Sequence, residues 1–345
     1  AIVQRGREYN GYKILFFTLP PLILGFYYIA LRPFYSGGDT IPYLAAFNRI
    51  SSPFTAISDA SYGSELLFWP VQAILKLFVN ERGWLIANYL IIVSLTYVAY
   101  KKTTDGTRIS PLIFSLVFLT FFAVFSGNAM RQVYSIPLGL IAFHYCYRRE
   151  YIKFLMLAAL AISFHWAAAV ILVSPLFTRL PNRNIYYIGI PVVALSCSLL
   201  IEPVVDFITN IAGFNWLAFK VELYFKGGKV SHIQAVWKTV NFWLCVSLYL
   251  SLIITNITTD EKHEKATKYL LMFISMMLFA VNNPDVSERY MVWFLFLVPL
   301  AVTVLLSKLK VSHALRNCLF MVSFCTMAIL VFTRESATLT LGVAQ

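Results

Sequence analysis

The chain has 345 residues, of which 59% are hydrophobic and only 13% are charged. Soluble domains carry about 25% charged residues, so this composition excludes a surface that faces water throughout and predicts an all-α polytopic membrane protein. The net charge of +12 comes from Lys and Arg in short segments between apolar runs, which indicates membrane topology rather than nucleic-acid binding.

Long apolar runs follow one another from the first residues to the last. Each is close to the roughly 20 residues that a helix needs to cross the hydrocarbon of a bilayer. The runs are Ile14–Leu31, Leu85–Tyr100, Pro111–Phe125, Ile185–Ile201, Val236–Ile254, Tyr290–Leu306 and Leu319–Phe332.

Basic loops set the orientation, because loops rich in Lys and Arg face the cytoplasm. The basic loops are Lys101–Arg108, Arg148–Lys153, Arg179–Arg183 and Ser307–Arg316, with Thr258–Lys268 as a mixed fifth loop. The start of the chain, Arg5–Lys13, is basic too. With all of them inside, the sequence predicts about nine full spans in a single transmembrane domain over residues 1–345.

Two segments do not fit ordinary spans. Ser64–Val79 is short and contains charged residues, so we predict an interfacial or re-entrant helix on the outer side. Tyr151–Phe177 has basic loops at both ends, so it must enter and return, which predicts a break near His165. One long tilted helix is the alternative.

On this trace the outer side receives two long segments, residues 32–64 and 202–235. Within the second, Phe214–Lys229 places apolar and charged residues on different helical faces, which predicts an amphipathic helix lying on the membrane. The sequence begins at Ala1 rather than Met, and a missing upstream helix is a hypothesis that the intact mass of the expressed protein would test.

Polar residues at membrane depth are costly, so they are functional candidates by default. Residues 126–132 interrupt an apolar stretch, and Arg131 with Gln132 begins the helix that runs to Tyr147. Helix N-terminal amides and a guanidinium together form a good anion site. The alternative is an interfacial arginine whose side chain reaches lipid phosphates.

Two further residues could move protons. His165 lies among apolar residues and could act as a base near neutral pH, or it could instead be a structural residue at a helix break. Asp39 follows two glycines and could be an acid or base, or it could cap the helix that starts at Thr40.

Three more charged residues fall at predicted outer ends of helices. Arg289 could bind an anion or pair with acidic residues nearby, and Arg32 has the same two interpretations as Arg131. Glu65 is predicted to open the short helix, where the preference for negative charge explains it as well as a site role does.

The order of these residues resembles the EpsG-like branch of Wzy-type polysaccharide polymerases, which build O-antigen, capsule and exopolysaccharide. The likeness runs from about Leu15 to Phe332. Its most specific pieces are Asn128-x-x-Arg131-Gln132 and Phe164-His165, in that order.

The resemblance implies a GT-C-like glycosyltransferase that uses no metal and no other cofactor. One oligosaccharide repeat unit on undecaprenyl diphosphate would move onto the terminal sugar hydroxyl of another, on the periplasmic face of the bacterial inner membrane. Membrane lipid is an implied partner, and a chain-length regulator is expected by family analogy alone.

The residues fit this chemistry. A diphosphate leaving group gains charge as the glycosidic bond breaks, and without a metal cationic side chains must stabilise it. We therefore predict Arg131, Arg289 and Arg32 as diphosphate ligands, and His165, ahead of Asp39, as the base. Glycan contacts are predicted for Glu65, Asn128, Gln132, Tyr43 and Tyr290.

Other functions remain open at this point. An O-antigen ligase, or another polyprenyl-linked glycosyltransferase, shares the donor and differs in the acceptor. A transporter of the lipid-linked oligosaccharide would have broken helices at matched positions of two halves, whereas the sequence predicts one break. A modifying acyltransferase would need acyl groups from the cytoplasm, and His165 is predicted to face out.

Overall fold

The computed structural model describes most of the helical core of the chain. The described residues are 22–34 except 24, 40–58, 65–103, 130–200 and 236–308, with the single positions 203, 312, 315, 318 and 322. All regular structure in them is helical. The chain divides into two compact units, Ala1–Pro175 with Leu306–Gln345, and Leu176–Leu305. The single transmembrane domain stays a prediction.

The first unit is built from helices of very different lengths. After a π-helical turn at Phe26–Ala30 come α1 (Thr40–Arg49), α2 (Pro53–Ser58), α3 (Phe68–Lys76), α4 (Glu81–Thr103), α5 (Met130–Tyr147) and α6 (Tyr151–Phe164). A 3₁₀ segment, Trp166–Val173, leads on into α7 (Ser174–Thr178). Helix α5 packs against both α4 and α6 and so lies at the centre of this unit.

Length and apolar character agree with a membrane protein. Among the described helices, α4 is the one both long and apolar enough to cross a bilayer, with 23 residues and a mean hydropathy of 1.5 over an 18-residue window. Helix α6 exposes Ile152, Leu155 and Met156, a face that suits lipid better than water. The number of nine spans stays a prediction. Half of the run Ile14–Leu31, all of Pro111–Phe125 and all of Leu319–Phe332 except Val322 lie outside the described residues.

The break near His165 is confirmed, and the alternative of one long helix is wrong. Helix α6 ends at Phe164, and His165 has an extended backbone with φ −162° and ψ 131°. The 3₁₀ segment that follows packs against α5 and α6 rather than continuing α6.

The short helix in Ser64–Val79 is also confirmed, but its predicted start is wrong. Helix α3 begins at Phe68, three residues after Glu65. The backbone N–H of Leu67 donates to the carbonyl of Ser163 at 3.0 Å, so the segment before α3 is bonded to the end of α6. Glu65 therefore does not begin the helix, and its carboxylate does not serve the helix N-terminus.

A buried polar network joins α3, α4 and α5. Gln72 Oε1 accepts hydrogen bonds from Trp84 Nε1 at 2.6 Å and from Asn88 Nδ2 at 3.0 Å. Asn88 Oδ1 accepts in turn from the hydroxyl of Tyr134 at 2.6 Å. Because unpaired polar groups are costly in such surroundings, the network fixes the relative positions of the three helices.

The second unit contains α8 (Asn184–Ser196), α9 (Val240–Ile254), α10 (Glu264–Phe279) and most of α11 (Pro284–Lys308). Helix α8 packs against α10, where the hydroxyls of Tyr187 and Thr267 lie 3.1 Å apart. The rings of Phe273 and Trp293 stack at 5.1 Å and join α10 to α11.

The mixed loop predicted at Thr258–Lys268 is shorter than expected, because α10 already begins at Glu264. A glutamate suits a helix N-terminus, and Lys268 four residues later pairs with it at 2.5 Å. Lys268 is buried, and its Nζ also donates to the carbonyl of Thr178 at 3.0 Å. This lysine is therefore an internal structural residue.

Replacing Tyr134 by Phe removes the hydroxyl that donates to Asn88 and leaves a buried acceptor one donor short. We expect the free energy of unfolding to fall by about 1–3 kcal/mol, measured by reversible unfolding in mixed detergent micelles. Tyr186→Phe is the matched control, because Tyr186 is half-buried and its hydroxyl makes no hydrogen bond in the described part of the chain. Equal stability of the two variants would contradict a structural role for the network.

Candidate active site

Four of the predicted site residues meet in the first unit. Tyr43 comes from α1, Glu65 from the segment before α3, Arg131 from the first turn of α5, and His165 from the break after α6. The fold thus brings together side chains from four separate parts of this unit.

Arg131 is held along two edges of its guanidinium. Its Nη1 donates to Glu65 Oε2 at 2.7 Å, and its Nε donates to the hydroxyl of Tyr43 at 2.9 Å. The guanidinium carbon also lies 5.5 Å from the centre of the Tyr43 ring, within reach of a cation–π interaction. These contacts restrict the side chain before any ligand arrives.

The Glu65 carboxylate faces a second partner. Its Oε1 lies 3.4 Å from His165 Nδ1, which is long for a hydrogen bond. The three side chains differ in solvent exposure. Glu65 is 2% exposed, His165 is 11% exposed and Arg131 is 31% exposed.

Aromatic packing explains how these side chains are brought together. The ring of Tyr134 lies 5.9 Å from that of Phe68 and stacks on that of Phe164 at 5.1 Å. Each of these rings lies within three residues of Glu65, Arg131 or His165 in sequence. These ring contacts, together with the hydrogen bond between the backbones of residues 67 and 163, hold the three segments that carry Glu65, Arg131 and His165.

The remaining candidates in the first unit lie in different surroundings. Gln132 is buried in the first turn of α5. Arg32 is buried too, and its carbonyl accepts a hydrogen bond from Arg82 Nη1 at 2.7 Å. Asp39 and Asn128 lie outside the described residues.

Arg289 and Tyr290 belong to the second unit. Both lie near the start of α11 and are half-buried. Their predicted contacts with diphosphate and glycan stay predictions.

The sequence interpretation missed the residues that support the cluster. Asn88 is a polar residue inside the apolar run Leu85–Tyr100, and the reasoning that singled out His165 would have found it. Tyr134 and Phe164 carry no comparable signal, because aromatic residues are common in apolar runs.

The cluster combines two chemical abilities. Within the described part of the chain the Nη2 group of Arg131 donates no hydrogen bond, and a partly exposed guanidinium can bind a phosphate oxygen. An imidazole whose Nδ1 faces a carboxylate can accept a proton at Nε2. No group of three or more His, Cys, Asp or Glu side chains that could hold a metal ion occurs among the described residues.

These features define a helical membrane protein in which a buried glutamate contacts an arginine and a histidine. The model of the EpsG family matches residues 14–341, nearly the whole chain. The chain therefore belongs to the EpsG family, the family of Wzy-type polysaccharide polymerases, and the resemblance seen in the sequence is confirmed. Comparison with curated proteins and with solved structures found no match.

The ion pair between Arg131 and Glu65 should contribute to stability as a pair. Removing one partner from a fully buried pair costs about 3–5 kcal/mol, and an exposed pair contributes about 0–1 kcal/mol. For this partly buried pair we expect Arg131→Gln to lower the free energy of unfolding by about 2 kcal/mol. The double variant Arg131→Gln, Glu65→Gln should recover part of that loss, because no charge is then left unpaired. Additive losses in unfolding experiments would show that the two side chains are not coupled.

Proposed function

We propose that this polymerase transfers an oligosaccharide repeat unit from undecaprenyl diphosphate onto the terminal sugar hydroxyl of a second lipid-linked glycan. The reaction would take place on the periplasmic face of the inner membrane, in a GT-C-like arrangement of about nine spans. Family membership supports polysaccharide polymerisation by a membrane protein, and the donor, acceptor and orientation are the proposed details.

The observation that carries the proposal is the cluster of Arg131, Glu65 and His165. Transfer from a lipid diphosphate needs positive charge at the leaving group and a proton acceptor at the attacking hydroxyl. Arg131 supplies the first and His165 supplies the second, in one cluster of the first unit.

The step balances as a single exchange of bonds at carbon 1 of the donor sugar. The acceptor hydroxyl oxygen forms a bond to that carbon, and its proton passes to Nε2 of His165. The bond between the carbon and the phosphate oxygen breaks, and its electron pair leaves with undecaprenyl diphosphate. Arg131 balances the negative charge that develops on the departing oxygen.

The other candidates complete the proposal. Arg32 is a further diphosphate ligand, Asp39 a second proton-transfer group, and Asn128 and Gln132 are glycan ligands. Tyr43 and Glu65 both bond to Arg131. Their contacts with the glycan stay predictions. A chain-length regulator stays a partner expected by family analogy.

Polymerisation in vitro tests the reaction. Purified protein in detergent is given the lipid-diphosphate-linked repeat unit with EDTA and no nucleotide, and the products are separated on a gel. We expect a ladder spaced by one repeat unit. His165→Ala should slow its formation by about 10²–10⁴-fold, as expected for loss of a general base. Arg131→Ala should slow it by about 10²–10³-fold, as for loss of an electrostatic stabiliser.

Arg183→Ala is the matched control for Arg131→Ala, because it removes the same charge from an exposed position in a predicted cytoplasmic loop. It should retain the wild-type rate. A folded wild-type protein that leaves its cognate repeat unit unchanged would reject the polymerase reaction and favour the ligase or transporter. Wild-type rates for Arg131→Ala would reject the diphosphate contact.

The proposed orientation is tested by labelling single cysteines in spheroplasts with a membrane-impermeant maleimide. The background is a variant without the native cysteines Cys146, Cys197, Cys245, Cys318 and Cys325. We expect Gly127→Cys to be labelled from outside and Arg149→Cys only after permeabilisation, because the positive-inside rule places residue 149 in the cytoplasm. The reverse pattern would place the cluster on the wrong face for a periplasmic reaction.

A further inference from the structure

Glu65 contacts the two groups that the proposed reaction needs, through different oxygens of one carboxylate. Oε2 accepts from Arg131 Nη1 at 2.7 Å, and Oε1 lies 3.4 Å from His165 Nδ1. We propose that Glu65 is a positioning residue, which holds the proton acceptor and the phosphate-binding cation in one fixed arrangement. This inference rests on the proposed function.

The carboxylate determines which nitrogen of His165 carries the hydrogen of the neutral ring. An ionised carboxylate can only accept hydrogen bonds, so a neutral imidazole beside it must carry its hydrogen on Nδ1. Nε2 then keeps its lone pair. The proton of the acceptor hydroxyl moves to Nε2, while Nδ1–H continues to donate to Glu65 and the negative carboxylate stabilises the imidazolium that forms.

Burial makes this arrangement stringent. The Glu65 side chain is 2% exposed, so it depends on protein donors where an exposed carboxylate would use water. A charge removed from water in this way is stable only beside groups of opposite charge or hydrogen-bond donors. Arg131 and His165 are such groups, and neither can move away without weakening the solvation of the carboxylate.

The backbone supports the same geometry. Leu67 lies two residues after Glu65 and Ser163 two residues before His165, and the N–H of the first donates to the carbonyl of the second at 3.0 Å. Arg131 has a second anchor in the hydroxyl of Tyr43 at 2.9 Å. When the Glu65 charge is lost, Arg131 therefore keeps its bond to Tyr43.

The kinetic test compares Glu65→Gln with the wild-type protein in the polymerisation reaction. We expect kcat to fall by at least tenfold, a part of the about 10²–10⁴-fold that a general base supplies, whereas KM for the lipid-linked substrate changes less. Glu150→Gln is the matched control, because it makes the same change in a surface carboxylate that pairs with Arg148 and Lys153. It should keep both constants.

A spectroscopic test reads the ring directly and needs no substrate. Protein labelled with ¹⁵N-histidine is reconstituted in lipid under mildly alkaline conditions, and the His165 signals are assigned by their loss in His165→Gln. We expect the hydrogen on Nδ1 in the wild-type protein and a shift of population toward the Nε2–H tautomer in Glu65→Gln. The wild-type measurement stands even if the variant does not fold.

The outcomes separate the two proposals. A wild-type ring that carries hydrogen on Nε2 alone, or on both nitrogens, would overturn the positioning role whatever the activity. Wild-type kcat in Glu65→Gln would overturn it as well. Failure of the wild-type protein to make polymer would overturn the proposed function instead, and the tautomer would still show whether Glu65 orients the ring.

Discussion

A carboxylate buried in a membrane protein stays charged only where the protein replaces the water it has lost. Glu65 is in this position, and the rest of the cluster follows from it. Arg131 and His165 are brought to its two oxygens from distant parts of the first unit. Because the carboxylate would be unsolvated without its partners, it holds a cation and an imidazole side by side.

This cluster rests on packing that is mostly aromatic. Tyr134 takes part in both the aromatic packing and the buried hydrogen-bond network. Its ring contacts those of Phe68 and Phe164, and its hydroxyl donates to Asn88. The charged side chains and the apolar packing are therefore not independent. A change in the ring of Tyr134 would alter the spacing of all three segments that carry the cluster.

The sequence was informative where the physics is local. A helix start within one residue of Arg131, the end of α6 before His165 and a short helix within Ser64–Val79 all followed from apolar runs interrupted by polar residues. The predicted start of α3 at Glu65 was wrong, because the preference for acidic residues at helix N-termini applies equally to an acid that pairs elsewhere. The family could also be identified from the order of a few polar residues.

Contacts between residues that are far apart in the sequence could not be predicted from the sequence. Glu65 meets Arg131 across 66 positions and His165 across 100, and no periodicity links residues so far apart. Single residues could be selected as candidates, but which of them share a partner depends on how α5 packs between α4 and α6. Lys268 shows the same limit, because a lysine assigned to a loop proved to be buried against Thr178.

The bond between Leu67 N–H and the Ser163 carbonyl involves only main-chain atoms. It fixes the distance between the segments that carry Glu65 and His165, yet it makes no demand on the side chain at either position. Residues 67 and 163 can therefore vary widely among related chains while the geometry is preserved. The one residue excluded on this ground is proline at position 67, which has no N–H to donate. In an alignment, this constraint would appear only as the absence of proline at position 67, where the other residues vary.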